Sequence, residues 1–164
     1  MTIQVKKIHK DATFKKAYSS DSGYDLTACT YEYKGEGLWM IGLGVQVKPQ
    51  RGTYFEIIPR SGFCKLPFII PNNVGIIDQH YRGEWMLPIR SMGRLYWNKD
   101  VSLSTEVPLV NQIAHFIEKL LIGKRVVQAI VRTSYNFEIE FMSEDYQFSH
   151  TLRGERGFGS TGEK

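Results

Sequence analysis

What this chain has little of narrows it first. Only two of its 164 residues are cysteine, Cys29 and Cys64. They have neither the density of a disulfide scaffold nor the spacing of metal ligands, so two reduced thiols in a cytoplasmic protein are expected. The four histidines, His9, His80, His115 and His150, are too scattered to argue a metal cage. No apolar run approaches the length of a membrane-spanning helix, and no signal-peptide pattern opens the sequence, because Lys6, Lys7 and His9 come at once. Dense blocks of Lys and Arg are missing as well. A net charge of +4 and a pI of about 9.0 suit an acidic ligand without marking a duplex-binding stripe. Neither nucleic acid nor a membrane is therefore expected as a partner. Internal repeats and low-complexity linkers are absent. At 42% hydrophobic and 23% charged, the composition is that of a single soluble domain with a core of its own.

What is present reads as short β segments punctuated by glycine and proline: residues 3–8, 38–47, 53–58, 85–89, 126–131 and 137–141. Strands of this spacing build sandwiches or barrels. The exception lies between Pro108 and Leu121, where Leu109, Ile113, Phe116, Ile117 and Leu120 recur at helical spacing. Gly123 is a plausible stop, and residues 119–122 fit a helix end or the entry to the next strand equally well.

The most telling segment is the last one, Arg153-Gly154-Glu155-Arg156-Gly157-Phe158-Gly159-Ser160-Thr161-Gly162. It holds four glycines, two arginines, two hydroxyls and one aromatic, and no core-forming residues. Glycines let backbone N–H groups approach an anion, arginines supply charge, hydroxyls donate to phosphate oxygens, and Phe158 offers a flat face to a base. Phosphate plus an aromatic platform points to a nucleotide. Residues 157–162 also satisfy G-x-G-x-x-G, but no helix or acidic partner can follow, since only Glu163 and Lys164 remain. A dinucleotide fingerprint is excluded. A disordered Gly/Arg tail is the blander alternative.

Four internal segments carry chemistry. Asp21-Ser22-Gly23-Tyr24-Asp25-Leu26 reads as a polar turn that leaves Asp25 at a strand edge, either as a turn residue or as a metal ligand. Pro59-Arg60-Ser61-Gly62 follows an apolar strand and presents a guanidinium, a hydroxyl and an accessible amide together. It fits a phosphate cradle or an ordinary proline turn. Residues 72–84 read as strand, turn and strand, with Asp78 and Tyr81 facing one space at the hairpin mouth. Gln128 stands in an otherwise apolar strand, where its amide needs a partner, a ligand or solvent.

Taken in order, Ser22-Gly23-Tyr24-Asp25-Leu26, Pro59-Arg60-Ser61-Gly62, Gly75-Ile76-Ile77-Asp78 with Tyr81-Arg82-Gly83, Gly123-Lys124-Arg125-Val126-Val127-Gln128 and the tail resemble the five motifs of the trimeric dUTPase family. The resemblance spans residues 3–162 and is weakest between Trp85 and Gly123.

It implies an all-β, jelly-roll-like distorted barrel with one or two short helices and a flexible C-terminal tail. The barrel would occupy residues 1–152, with an inserted excursion near 89–121, and residues 153–164 would form a lid over the site. It further implies a homotrimer whose active sites are shared between chains, and hydrolysis of dUTP to dUMP and pyrophosphate with Mg²⁺ on the triphosphate. By similarity, Asp78 would orient and deprotonate the water that attacks the α-phosphorus. Tyr81 would pack on the deoxyribose, and the backbone around Gly75 and Ile77, completed by Asn72, would read uracil. Arg60, Ser61, Gly62 and Gln128 would contact phosphates. Asp25 would reach magnesium through water. Arg153, Gly159, Ser160 and Thr161 would close on the terminal phosphates while Phe158 stacks on the base.

Two departures are visible. Lys124 replaces the acidic residue common in the fourth motif, and Arg156 stands where glycine is frequent. The stretch from Asp78 to Gly123 is also longer than usual, as in phage-encoded members, and serves as decoration or as a site for a protein partner. The nearest rival activity is a dCTP deaminase, which shares the fold but uses a glutamate base in another local sequence. A nucleotide-sensing regulator that binds a protein through the excursion is the rival from a different class.

Overall fold

The computed structural model describes residues 2–92 and 109–150. The expected excursion tip at Trp97 to Asp100 and the tail residues Arg153, Phe158, Gly159, Ser160 and Thr161 lie outside the described residues. In chain order the strands are β1 (Gln4–Lys7), β2 (Phe14–Lys15), β3 (Gly23–Thr27), β4 (Thr30–Gly35), β5 (Leu38–Gly42), β6 (Val45–Lys48), β7 (Thr53–Pro59), β8 (Phe68–Ile69), β9 (Gly75–Ile77), β10 (Met86–Ser91) and β11 (Arg125–Thr133). A single α-helix among the described residues, α1 (Leu109–Leu120), precedes β11. A five-stranded sheet runs β2-β3-β11-β7-β9, a four-stranded sheet runs β4-β5-β10-β8, and β1 pairs with β6 alone. The ladders are antiparallel throughout.

Alternation decides which face each strand buries. Phe55 and Ile57 of β7 with Val127 and Ala129 of β11 point inward from one sheet; Trp39 and Ile41 of β5 with Leu87 and Ile89 of β10 do so from the other, and all are buried. Each valine, leucine, isoleucine or phenylalanine among them contributes about 1.5–3 kcal/mol on leaving water. Phe14, Phe55 and Trp85 form the aromatic centre, with ring centroids 5.0 to 5.9 Å apart.

The run expected as one strand over 38–47 is two. β5 belongs to the four-stranded sheet and β6 to the two-stranded one, and the chain turns between them at Leu43 and Gly44. Gly44 has φ +67°, and a Cβ there would lie 2.8 Å from the Cβ atoms of Ala12 and His9. Both conformation and space require glycine. Its N–H donates to Glu84 Oε1 at 2.9 Å, which pins the corner to the loop before β10. Nearby Cys29 is buried and Cys64 exposed, both as free thiols. Burial, then the Asp11 and Glu84 carboxylates, push the Cys29 thiol up, so it stays protonated.

The expected helix is present and ends as its sequence suggests. Leu121 and Ile122 N–H groups return to the Ile117 carbonyl, and Gly123, at φ +76°, donates to the Ala28 carbonyl. Ile113 and Ile117 are buried, with Phe116 and Leu120 packed beside them, but Leu109 is exposed. The strand expected over 137–141 has no ladder among the described residues. Phe137, Ile139 and Phe141 are 80%, 79% and 91% exposed. The alternation is that of a strand, and the described residues supply no neighbour for it.

Candidate active site

Asp25 is not at a strand edge. It is the third residue of β3, is 6% exposed, and both its oxygens are taken. Arg60 Nε donates to Oδ1 and Arg125 Nη1 to Oδ2, each at 2.9 Å. A buried carboxylate without such partners would be costly, so these two guanidinium groups are what allow Asp25 inside the sheet. Arg60 is held a second way, through Nη1 to the Arg125 carbonyl at 3.2 Å. Of its five N–H groups, two are committed and three have no partner among the described residues. Two cations around one anion leave a net positive charge at this end of the sheet.

Gln128 shares this face. It pairs across the ladder with Asp25 on β3 and with Ile58 on β7. Its amide lies over Gly23, where a Cβ would come within 2.6 Å of Gln128 Oε1. The glycine before the expected motif aspartate therefore makes room for the glutamine. Just beyond β7, Ser61–Lys65 form a 3-10 turn with Arg60 as its first cap. Ser61 and Gly62 are exposed, and nothing stands within 4 Å of the Cβ position of Gly62. Arg60, Ser61, Gly62 and Gln128 are thus brought together with Asp25.

Asp78, Tyr81, Asn72, Gly75 and Ile77 are elsewhere. Gly75 and Ile77 sit in β9, opposite Ile57 and Phe55. As the outermost strand of its sheet among the described residues, β9 leaves one row of backbone groups facing away from β7. The Asn72 amide nitrogen lies 4.0 Å from the Cβ position of Gly75. Asp78 follows directly, exposed, on a cleft of about 560 Å³ that also contains Tyr54, Gln79, His80 and Asn136. Tyr81 folds back, its hydroxyl donating to the Glu84 carbonyl at 3.0 Å and its ring covering Gly83. The Tyr81 N–H closes the turn on the Asp78 carbonyl at 3.0 Å.

One strand measures the gap between the two groups. Asp78 follows the partner of Phe55, whereas Arg60 follows Pro59 at the other end of β7. Five residues of strand separate Phe55 from Arg60, roughly 16 Å at about 3.3 Å per residue. A single chain does not place the Asp78 carboxylate and the Arg60 guanidinium on the same phosphate. Arg125 had no role assigned from sequence. Its contact with Asp25 spans 100 positions and left no local signal.

A twisted, mostly antiparallel fold that carries an anion-directed arginine cluster at one end of a strand and an open carboxylate at the other belongs with the β-rich nucleotide enzymes. The family model for dUTPase matches residues 10–94. Over 99% of both chains, the sequence is 35% identical to a deoxyuridine 5′-triphosphate nucleotidohydrolase of Leptospira interrogans. It is 29% identical to the enzyme of that name from Helicobacter pylori, over 99% of this chain and 97% of that one. The chain belongs to the dUTPase family. Its fold matches the dUTPase of Staphylococcus bacteriophage 80alpha, solved with dUPNHPP, at a TM-score of 0.68 and 22% identity over 99% of both chains. It also matches a dUTPase from phage phi11 of S. aureus, solved to visualize a species-specific insert, at a TM-score of 0.63 and 18% identity over 90% of this chain.

Proposed function

We infer that this chain hydrolyses dUTP to dUMP and pyrophosphate. Family membership over its whole length carries the reaction, and the site geometry supports the parts. Asp78 is the base: it stands open on its cleft, accepts a proton from water, and the water oxygen bonds to the α-phosphorus. The bond from that phosphorus to the bridging oxygen breaks, and pyrophosphate leaves with the electron pair. Little covalent work falls to the protein, so orientation and charge neutralisation dominate the acceleration.

Arg60, Ser61, Gly62 and Gln128 bind the phosphates. Asn72 and the outward backbone of β9 at Gly75 and Ile77 bind the uracil edge, and Tyr81 limits the room beside the sugar. The residues present also fit magnesium. Each Asp25 oxygen accepts one guanidinium bond and keeps lone-pair capacity for a metal-bound water. Among the described residues no cluster of three or more His, Cys, Asp or Glu forms a protein cage. That suits an ion carried by substrate phosphates and one outer carboxylate. When bound, the ion neutralises triphosphate charge. The tail residues Arg153, Phe158, Gly159, Ser160 and Thr161 are proposed to close on phosphates and base, with residues 153–164 acting as the lid.

The roughly 16 Å between Phe55 and Arg60 along β7 is the observation that favours a homotrimer with shared sites, because a second copy must bring an Asp78 to each Arg60. The period-two row of Tyr135, Phe137, Ile139 and Phe141, 71–91% exposed, agrees with the same reading, since such a row needs a surface that the described residues do not supply. A cytoplasmic setting agrees with two free thiols, and no helix of the described residues is long and apolar enough to cross a membrane. Pyrophosphate release from dUTP, dCTP and UTP with magnesium tests the activity, and light scattering tests the assembly. Turnover of dUTP alone by a particle of three 18.9 kDa chains is expected. Ammonia release from dCTP, or full activity in a monomer, would overturn it.

A further inference from the structure

Between Asp78 and Tyr81 the third motif has two open places, filled here by Gln79 and His80. The half-buried Gln79 side chain crosses to the turn before β7, where Oε1 accepts the Gly52 N–H at 2.8 Å. Gly52 is itself fixed. It has φ +75°, its carbonyl accepts the Ser134 N–H at 2.8 Å, and the same turn is closed by Thr53, whose N–H and hydroxyl both donate to the Gln50 carbonyl.

Among the described residues the loop has one other long-range side-chain bond, at its far end, where Glu84 Oε1 accepts the Gly44 N–H at 2.9 Å, and its remaining side-chain bonds are local. Tyr81 N–H donates to the Asp78 carbonyl, Arg82 Nη1 donates to the carbonyls of Gln79 at 2.7 Å and Tyr81 at 2.8 Å, and the Tyr81 hydroxyl reaches only Glu84. The local bonds shape the loop without locating it, and the Glu84 bond fixes its end before β10 rather than the end that carries Asp78. The Gln79 bond spans 27 positions and ties the loop to the turn that starts β7.

We propose that Gln79 is a positioning residue for Asp78, a strut that fixes the carboxylate relative to β7. The proposal rests on Asp78 being the base. A displacement of about 1 Å at a reacting group costs up to 10²-fold in rate, so an exposed residue just past a strand end needs an anchor of this kind. Glutamine suits the place because its neutral amide reaches the Gly52 N–H without setting a second negative charge beside Asp78.

Gln79→Met keeps the length and removes the acceptor. In the full-length enzyme it should lower kcat by about tenfold, with KM for dUTP within about twofold, because water orientation matters only in the transition state. In an Asp78→Asn background the same substitution should lower the residual rate no further. Unchanged kcat, a rise in KM alone, or an equal additional loss without Asp78 would each overturn the strut. Asp78→Asn alone tests the base, so the two readings fail separately. Should Gln79→Met not fold, amide exchange in the wild-type protein decides the matter. Slow exchange at Gly52 supports the bond, and exchange as fast as in an open turn rejects it.

Discussion

The two ends of β7 carry an aspartate each in their neighbourhood, and the two could hardly be treated more differently. At one end Asp25 is buried and clamped by two guanidinium groups. At the other Asp78 is exposed and makes no ion pair among the described residues. A water molecule at Asp25 must compete with charge-assisted bonds already on both oxygens, whereas at Asp78 it meets an open carboxylate. Pairing makes Asp25 a good holder of arginines and a poor candidate for proton transfer. Exposure does the reverse for Asp78, at the cost of needing an external anchor. The position of a carboxylate in a motif does not tell these roles apart; its partners do.

The sharpest break in that contrast is at Asp78. Asp78→Asn should leave folding and dUTP binding intact and lower turnover by roughly 10²–10⁴ fold, the usual contribution of a positioned base. Single-turnover rates together with binding of a non-hydrolysable analogue would check this, and near-normal turnover would remove Asp78 from the mechanism. A smaller effect is expected at the clamped end. Asp25→Asn strands two guanidinium groups and frees Arg60, so kcat/KM should fall by roughly 10–10² fold, mainly through KM, with a lowered Tm. Arg125→Lys should restore most of what Arg125→Met loses, because only one nitrogen of Arg125 contacts Asp25.

The segments that bear this contrast were legible in the sequence, but the contacts that explain it were not. The turns at Asp78 and after Pro59 could be read because proline, glycine and apolar runs mark them locally, but the hairpin expected over 72–84 is a passage between sheets, since β9 pairs with β7 whereas β10 pairs with β5 and β8. β3 was hidden. Its start, Gly23-Tyr24-Asp25, looks like a polar turn until Arg60 and Arg125, 35 and 100 positions away, make a buried aspartate affordable in a central strand. The run from Leu38 to Val47 concealed a change of sheet at Gly44, because the Cβ contacts that forbid a side chain there come from residues 9, 12 and 29. Residues 137–141 show the opposite error. Their alternation led to an expected strand that is not formed among the described residues, because a ladder needs a neighbour, which sequence periodicity cannot supply.

Gly23→Ala sharpens the clamped end without touching a charge. The new Cβ would meet Gln128 Oε1 at 2.6 Å and Gln128 Cβ and Cδ at 3.1 Å, so the amide must swing to another rotamer and the two strands must ease apart slightly at Gln128 Cβ. KM for dUTP should rise by about 3–10 fold while kcat changes less, as expected for loss of a phosphate contact rather than of the base. Steady-state kinetics on dUTP decide it. If KM does not move in a folded variant, Gln128 does not touch substrate.

The smallest effect is expected midway between the two ends, where Glu56 of β7 accepts Arg132 Nε at 2.8 Å and the Tyr54 hydroxyl at 3.2 Å. The Arg132 bond, opposed by desolvation and helped by Tyr54, holds the Glu56 carboxyl below its ordinary value of 4.5. A folded-state value below the unfolded one means that the pair adds stability above the ordinary glutamate range and loses it as pH falls through the lowered value. Glu56→Gln should therefore lower Tm slightly at about pH 7, and the gap to wild type should close in acid as both forms become neutral at that position. kcat should change little, because neither Glu56 nor Arg132 contacts Asp25 or Asp78 and only the Tyr54 side chain links the pair to the Asp78 cleft. Thermal unfolding of the two proteins across the acid range is the measurement. A gap that persists undiminished well below pH 4.5 would show that Glu56 stabilises by shape rather than by charge, and a loss of turnover would extend the catalytic region along the whole of β7.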